Sequence, residues 1–146
     1  MLLFLPLILS ENLSLVDCIG MKTGRSFANE IAMKLARQYH LEKMPPEPQR
    51  DIFLSREQSY HGATFATLAL SGHLARQARY KPLMLPNMRK TLPCNAYRYQ
   101  LTGETEEYAQ RLTQRLEDDI PRAGKDRVVA FVAETVGGAV SQQELF

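Results

Sequence analysis

Two stretches of the chain repeat apolar residues every four positions, which is close to the period of one face of an α-helix. In the first stretch the repeated residues are Phe27, Ile31, Leu35 and Tyr39, with alanines beside them. We predict a helix that packs this face on the core and begins where the hydroxyl of Ser26 or Thr23 can cap it. The prolines within residues 43–50 end this helix, because successive prolines cannot continue it.

A second helix is predicted from near Glu104, with the same spacing of apolar residues. The repeated residues here are Tyr108, Leu112, Leu116 and Ile120. Pro121 and Gly124 end this helix, since they are typical of helix termini. Both apolar stripes are interpreted as core surfaces and not as ligand sites.

Short apolar runs between the helices predict strands. Residues 128–133 are apolar without alternation, which indicates a strand buried on both faces. Residues 51–55 and residues 81–86 predict two more strands. Because strands alternate with helices, the sequence favours an α/β fold with a mostly parallel sheet flanked by helices.

The remaining segments are predicted to be less regular. Residues 63–77 indicate one or two helical turns interrupted at Gly72, and residues 87–103 indicate an irregular loop. Residues 1–9 are strongly apolar but too short to span a bilayer, and they lack the basic start and cleavage site of a signal peptide. We interpret them as a buried strand or an unusual chain start. Residues 1–22 are thus an atypical apolar segment that precedes one domain at residues 23–146.

Composition excludes several classes of function. The 146 residues carry a formal charge of +2 without a basic block, which argues against nucleic-acid binding. Cys18 and Cys94 are far apart, which favours free thiols and a cytoplasmic location over a disulfide framework. There is no metal-ligand spacing, no Walker loop, no CxxC motif and no serine-hydrolase motif. The sequence also does not favour membrane association, because residues 1–9 are too short to span a bilayer.

Functional side chains follow two predicted strands. Tyr60, His61 and Gly62 come after residues 51–55, and Glu134 comes after residues 128–133. Ligands of open α/β sheets bind at the carboxyl ends of the strands. The helix start near Ser26 offers unpaired N–H groups to a phosphate, so the sequence indicates a flat, phosphorylated ligand. The alternative is that Tyr60 and His61 are packing or loop residues and that Glu134 lies in an exposed loop, while His40 and His73 are interpreted as ordinary surface or helix-end residues.

Four segments, in order, resemble the class III pyridoxal-phosphate aminotransferases. They are GRSFANEIAMKLARQYH, SREQSYHGAT, PCNAYRYQ and VVAFVAETVGGA. The resemblance runs from about Thr23 to Ala139. It implies part of a fold type I large domain, pyridoxal 5'-phosphate as cofactor, and amino acid or ω-amino donors with keto acid acceptors. It also implies a homodimer, or pairing with a full-length aminotransferase.

The resemblance assigns roles residue by residue. Ser26 and the backbone around Arg25 would hold the phosphate, and Tyr60 would stack on the pyridine ring. His61 would lie beside the cofactor pocket. Gly62 would allow the turn, and Glu134 would place a carboxylate near the ring.

The chain also departs from the family pattern. Arg25 replaces a glycine, Phe27 replaces a glutamate and Thr135 replaces a proline. No lysine of the sequence stands where the family has its Schiff-base lysine, so no catalytic residue is identified and we expect impaired or absent turnover. The alternatives are a non-catalytic remnant or interaction module that pairs with a full-length relative and, less favoured, a protein tethered to a membrane by residues 1–9.

Overall fold

The structure of the chain, a computed structural model, describes residues 13–95 and 105–134. The regular elements are α1 (Leu13–Glu42), β1 (Ile52–Arg56), α2 (Phe65–Leu70), α3 (Leu74–Gln77), β2 (Met88–Thr91), α4 (Thr105–Ala123) and β3 (Val128–Val132). Two 3-10 turns lie at Lys81–Leu83 and Lys125–Arg127. The predicted role of residues 1–9 concerns a segment outside the described residues.

The three strands form one parallel sheet in the order β2-β1-β3. Ser55 of β1 is in register with Lys90 on one side and with Val132 on the other. The predicted α/β fold with a parallel sheet is therefore confirmed. Because β1 and β3 are parallel neighbours, the residues that follow them emerge at the same edge of the sheet.

Helices cover both faces of the sheet. On one face, Met33 and Ala36 of α1 pack with Leu70 of α2 and Phe53 of β1 in the main buried cluster. On the other face, α4 packs against β2, where its Tyr108 is buried. Full burial of a side chain the size of Leu70 contributes about 2 kcal/mol to the free energy of unfolding. Packing on both faces therefore stabilises the sheet.

Helix α1 is broken at Gly24. The backbone there has φ 77° and ψ 162°, which is not helical, although residues on both sides are. Only residues without a Cβ adopt such angles readily. The predicted start of the first helix, at Thr23 or Ser26, therefore coincides with this break, and α1 extends further toward the N-terminus than predicted.

The predicted core face of α1 is partly wrong. Ala32, Met33 and Ala36 are buried, whereas Phe27 is 60% exposed and Leu35 is 39% exposed. A step of four residues advances about 40° beyond a full helical turn, so a stripe with this spacing winds around the helix. The smaller residues allow α1 to lie close to the sheet, and part of the larger stripe turns away from it.

The prediction for residues 81–103 is wrong in two places. Residues 81–86 contain a 3-10 turn where a strand was predicted, and Pro82 lies in its first turn, where a missing N–H costs little. The strand is β2, inside the segment predicted to be a loop. The alternation of apolar and polar residues in β2 is hard to recognise, because the charged Lys90 occupies a core-facing position.

Strand β3 is less buried than its apolar sequence predicts. Val129 and Val132 are buried, but Val128, Ala130 and Phe131 are only half-buried. Within the described residues β3 lies at one edge of the sheet, and a strand at an edge is covered less completely than a central one. Helix α4, by contrast, ends as predicted before Gly124, with Pro121 inside its last turn.

His40 was predicted to be a surface or helix-end residue, and it lies in the last turn of α1 but is buried. It is 7% exposed, its Nδ1 lies 2.8 Å from Glu47 Oε2, and its Nε2 lies 3.2 Å from the Val129 carbonyl oxygen. Hydrogen bonds from Arg50, His40 and Lys43 lower the pKa of Glu47 to about 2. This cluster ties the proline-containing segment to the end of α1 and to β3.

Cys94 is free and exposed, as predicted, whereas the side chain of Cys18 lies outside the described residues. Within residues 13–95 and 105–134, no helix combines the length and apolar character that crossing a membrane requires.

Candidate functional site

Three segments meet at the carboxyl end of the sheet. They are the break in α1 at Gly24, the loop 57–64 between β1 and α2, and Glu134, which follows β3. These segments contain all six residues proposed from the sequence as a binding site. The contacts below show how they are held together.

The carboxylate of Glu134 joins all three segments. Its Oε2 accepts a hydrogen bond from the Tyr60 backbone N–H at 3.0 Å. Its Oε1 lies 3.4 Å from Arg25 Nη1, and the Glu134 side chain is 15% exposed while that of Arg25 is 60% exposed. The ion pair is therefore worth little by itself, and the bond to the loop backbone is the more important restraint on Tyr60.

Ser26 and Gly62 bring the start of the second half of α1 against the loop. The Ala63 N–H donates to Ser26 Oγ at 2.9 Å, so the serine hydroxyl binds the neighbouring loop. A Cβ added to Gly62, where φ is 144°, would lie 2.6 Å from Ser26 Oγ and 2.8 Å from Ser26 Cα. Only glycine fits this approach.

Asn29 is a second residue that connects α1 to the loop, and sequence reasoning missed it. Its Nδ2 donates to the His61 carbonyl oxygen at 2.6 Å. The Oε1 of the next residue, Glu30, accepts a hydrogen bond from Thr64 Oγ1 at 2.6 Å. The first bond holds the backbone just before Gly62, and the second holds the Thr64 side chain just after it, so α1 restrains the loop on both sides of Gly62.

The backbone at the Gly24 break is open on its Cβ side. Among the described residues, no atom outside the helix backbone and the adjoining residues would lie within 4 Å of a Cβ added there. The N–H groups of the first turn after such a break have no partners in the helix, and they carry a partial positive charge. This arrangement suits an anion, and Arg25 adds a full positive charge beside it.

Tyr60 presents its ring at the rim of a pocket of about 540 Å³. The ring is half-buried, and the guanidinium carbon of Arg76 lies 5.0 Å from the ring centroid. This cation–π contact covers one face of the ring. Tyr60 is therefore a half-buried pocket residue with a hydrogen-bonded backbone, and its role as a stacking platform stays a prediction.

His61 is buried behind the loop and is 3% exposed. The backbone N–H of His61 donates to Ser71 Oγ at 2.8 Å. The ring nitrogen Nε2 is buried without a partner among the described residues. Burial, assisted by the positive charges of Lys90 and Arg25, lowers the pKa of His61 to about 4. The imidazole is therefore neutral near pH 7.

Lys90 is the titratable residue that sequence reasoning overlooked. Its Nζ donates to Ser55 Oγ at 2.7 Å and to the carbonyl oxygens of Ala69 and Leu70 at 3.0 and 2.5 Å. Burial lowers the pKa of Lys90 to about 7. The sequence contained one indication of this burial. Met88 and Lys90 are two positions apart in β2, so both side chains lie on the face of the sheet that carries α2.

The two other histidines do not belong to this cluster. His40 is buried at the opposite end of α1, and His73 precedes α3. Among the described residues, no group of histidine, cysteine, aspartate and glutamate side chains could hold a metal ion. The described groups at this edge of the sheet are the Tyr60 ring, the Glu134 carboxylate and the helix start that carries Arg25.

Comparison with known proteins gives an independent view of this arrangement. The family model described as "Aminotransferase class-III" matches residues 7–142. An aminotransferase of Gibberella zeae is 43% identical over 114 residues, which are 77% of this chain and 22% of that protein. The chain thus spans about a quarter of the length of the relatives it matches.

Solved structures show the same relationship. An (S)-enantioselective ω-transaminase from Thermomicrobium roseum superposes with a TM-score of 0.68 at 35% identity, over 76% of this chain and 24% of that chain. The ω-transaminase from Pseudomonas jessenii in complex with PMP has the same score at 34% identity, over 79% of this chain and 25% of that one.

Proposed function

Because this chain belongs to the class III aminotransferase family, whose members use pyridoxal phosphate, we propose that residues 24–134 form part of a pyridoxal phosphate site. The reaction served is transfer of an amino group between an amino acid or ω-amino donor and a keto acid. The observation that carries this proposal is the bond from the Tyr60 N–H to Glu134, which fixes an accessible aromatic ring beside the open helix start at Gly24.

The residues present fit the cofactor in three respects. Within residues 13–95 and 105–134, no atom approaches a Cβ added at Gly24 within 4 Å, and the helix start with Arg25 supplies positive charge for a phosphate. The Tyr60 ring offers a face for stacking. Glu134 is ordered beside it by two contacts.

When bound, the cofactor supplies an electron sink for chemistry at the carbon that carries the amino group. The residues of this chain bind and orient it. Tyr60 holds the ring, the backbone after Gly24 with Ser26 and Arg25 holds the phosphate, and Gly62 with His61 shapes the turn that places Tyr60. Glu134 sets the position of that turn.

We also propose that these 146 residues by themselves bind the cofactor more readily than they turn over substrate. None of the lysines matches the position of the family's covalent lysine, and Lys90 Nζ is already held by three acceptors. A full-length relative would supply a lysine at that position, and either a relative or a second copy would cover the exposed Phe27 and Leu35. A dimeric, cytoplasmic protein remains our prediction.

A ligand titration tests the proposed function directly. The chain is titrated with pyridoxamine 5'-phosphate, followed by the fluorescence of the ligand, and in parallel with pyridoxamine, which lacks the phosphate. We expect saturable binding of the phosphate ester that is at least about tenfold tighter, because the helix start and Arg25 contact a charged group. Equal affinities, or no binding of either compound, would refute the assignment.

A further inference from the structure

The pocket beside Tyr60 has a distinct chemical character. Its walls are apolar and aromatic, and its charged groups are two arginines. The residues that define it are Tyr60, Phe65, Leu68, Arg76, Arg79 and Tyr80. None of the described residues that line it is acidic, so the pocket combines a largely apolar interior with two arginines at its rim.

The aromatic walls are held in place by ring contacts. The rings of Phe65 and Tyr80 meet edge to face, with centroids 6.2 Å apart and an angle of 72° between their planes. Arg76 is held over the Tyr60 ring. Ordered aromatic side chains lose little conformational entropy when a ligand binds, which favours recognition of a flat or apolar body.

The two arginines differ in how they are engaged. Arg76 has the Tyr60 ring as its neighbour, whereas Arg79 makes no ion pair within the described part of the chain, and both side chains are exposed. A guanidinium prefers a carboxylate or phosphate, which it can bind through two parallel N–H bonds. The pocket volume of about 540 Å³ accommodates a small organic molecule and not only an inorganic ion.

We propose that this pocket binds a small carboxylate with an apolar, preferably aromatic, body, with Arg79 and Arg76 as the residues that recognise the carboxylate. The apolar body lies against Phe65, Leu68 and Tyr80. Because the pocket shares Tyr60 with the proposed cofactor site, this inference names arylalkyl keto or amino acids as the substrate class. The assignment of a substrate class rests on the proposed function, whereas binding of the carboxylate is measured without the cofactor.

Arg76 links the two sites physically. Since its guanidinium covers one face of Tyr60, a planar cofactor ring must use the other face while Arg76 stays in place. A carboxylate held by Arg76 would therefore lie at the edge of Tyr60, on the opposite side of the ring from the cofactor, and only the apolar body could reach around that edge. Arg79, further along the rim, contributes charge without contacting Tyr60.

The test uses 3-phenylpropanoate, an unreactive carboxylate, and its neutral amide, 3-phenylpropanamide. Binding to the 146-residue chain is followed by NMR chemical-shift changes of the protein as ligand is added. We expect the carboxylate to bind about five- to tenfold more tightly than the amide. We also expect its affinity to fall as salt is raised from low to physiological concentration, because the arginines are exposed.

Two variants separate recognition from loss of structure. Arg79→Met should weaken binding of the carboxylate to the level of the amide and leave the amide unchanged. Arg89→Met, which removes an exposed arginine outside the pocket, should change neither affinity. Equal affinity of the carboxylate and amide for the unaltered chain, or equal losses in the two variants, would overturn the proposal.

The outcome is also distinguishable from failure of the proposed function. Carboxylate binding that depends on Arg79, without binding of pyridoxamine 5'-phosphate, supports the pocket and refutes the cofactor assignment. If pyridoxamine 5'-phosphate binds but the chain does not discriminate between the carboxylate and the amide, the cofactor assignment is supported and the pocket proposal is refuted.

Discussion

The backbone N–H of Tyr60 donates to Glu134 Oε2 at 3.0 Å, although the two residues are 74 positions apart in the sequence. This bond joins the ends of two neighbouring parallel strands. It places the aromatic ring and the carboxylate at the same sheet edge and fixes the loop that carries Tyr60. The proposed site depends on that connection.

Substitution of Glu134 should show which of its contacts matters. Glu134→Gln keeps an oxygen that can accept from the Tyr60 N–H and loses only the exposed pair with Arg25, so we expect a loss of less than about 1 kcal/mol in unfolding free energy. Glu134→Ala leaves the N–H without that acceptor and should cost about 1–2 kcal/mol more.

Urea denaturation measures both losses. Glu106→Ala, at an exposed position of α4, is the control and should change the free energy of unfolding little. Similar losses for the glutamine and alanine variants at position 134 would show that the ion pair, and not the loop bond, holds the site.

Gly62 and Gly24 form a matched pair of tests. In Gly62→Ala the new Cβ would lie 2.5 Å from Thr67 Oγ1 and within 3 Å of Ser26, so overpacking adds to the strained φ. We expect a loss of about 3 kcal/mol in the free energy of unfolding. Gly24→Ala meets no atoms and should lose only about 1 kcal/mol from its positive φ.

Thermal or urea unfolding of the two variants gives the comparison. Equal destabilisation would mean that the close contact between Ser26 and the loop does not exist in solution.

The sequence predicted the elements whose pattern is local. The apolar run of β3, the helix breaks at Gly72 and Gly124, and the functional residues after β1 and β3 could all be recognised from neighbouring residues. Because parallel strands end at a common edge, the sequence alone predicts that Tyr60 and Glu134 lie at the same edge of the sheet.

Other features depend on contacts that a linear pattern does not contain. Strand β2 was missed because Lys90 occupies a core-facing position, and its burial depends on the carbonyl oxygens of Ala69 and Leu70. The face of α1 was misjudged because alanines pack closer to the sheet than Phe27 does. Asn29 acts on the loop through a fold-dependent contact with the His61 carbonyl oxygen.

Acidification should destabilise the fold through His61. Burial lowers the pKa of His61 in the folded chain to about 4, from an ordinary value of 6.5, so the unfolded chain takes up the proton first as the pH falls. The free energy of unfolding should therefore drop between pH 6.5 and pH 4, by about 2–3 kcal/mol.

His61→Gln cannot titrate and should lose this part of the pH dependence. His73→Gln, at a half-exposed position, should retain it. A pH profile of urea midpoints measures the effect, and an unchanged acid slope in His61→Gln would count against neutral burial of the imidazole.

Lys90 should make the free energy of unfolding depend on pH on the alkaline side. Burial lowers the pKa of Lys90 to about 7 from 10.5, so between these values the unfolded chain binds more protons than the folded chain. The free energy of unfolding should rise with pH in this window, by about 2–4 kcal/mol. A neutral amine can still donate to two of its three acceptors.

Lys90→Met removes the titrating group, so its unfolding free energy should not show this rise, whereas Lys34→Met, at an exposed position of α1, should keep it. Urea midpoints from pH 7 to pH 10 provide the measurement. The same alkaline rise in Lys90→Met and in the unaltered chain would assign the effect to other groups.

The most direct test of the central claim is the dissociation constant of pyridoxamine 5'-phosphate for the chain, for Tyr60→Phe and for Tyr60→Ala. If the Tyr60 ring is the platform for the cofactor, phenylalanine should preserve binding within about twofold, and alanine should weaken it about fivefold or more, since one stacked ring contributes about 1 kcal/mol. Equal affinity of Tyr60→Ala and Tyr60→Phe would contradict the account.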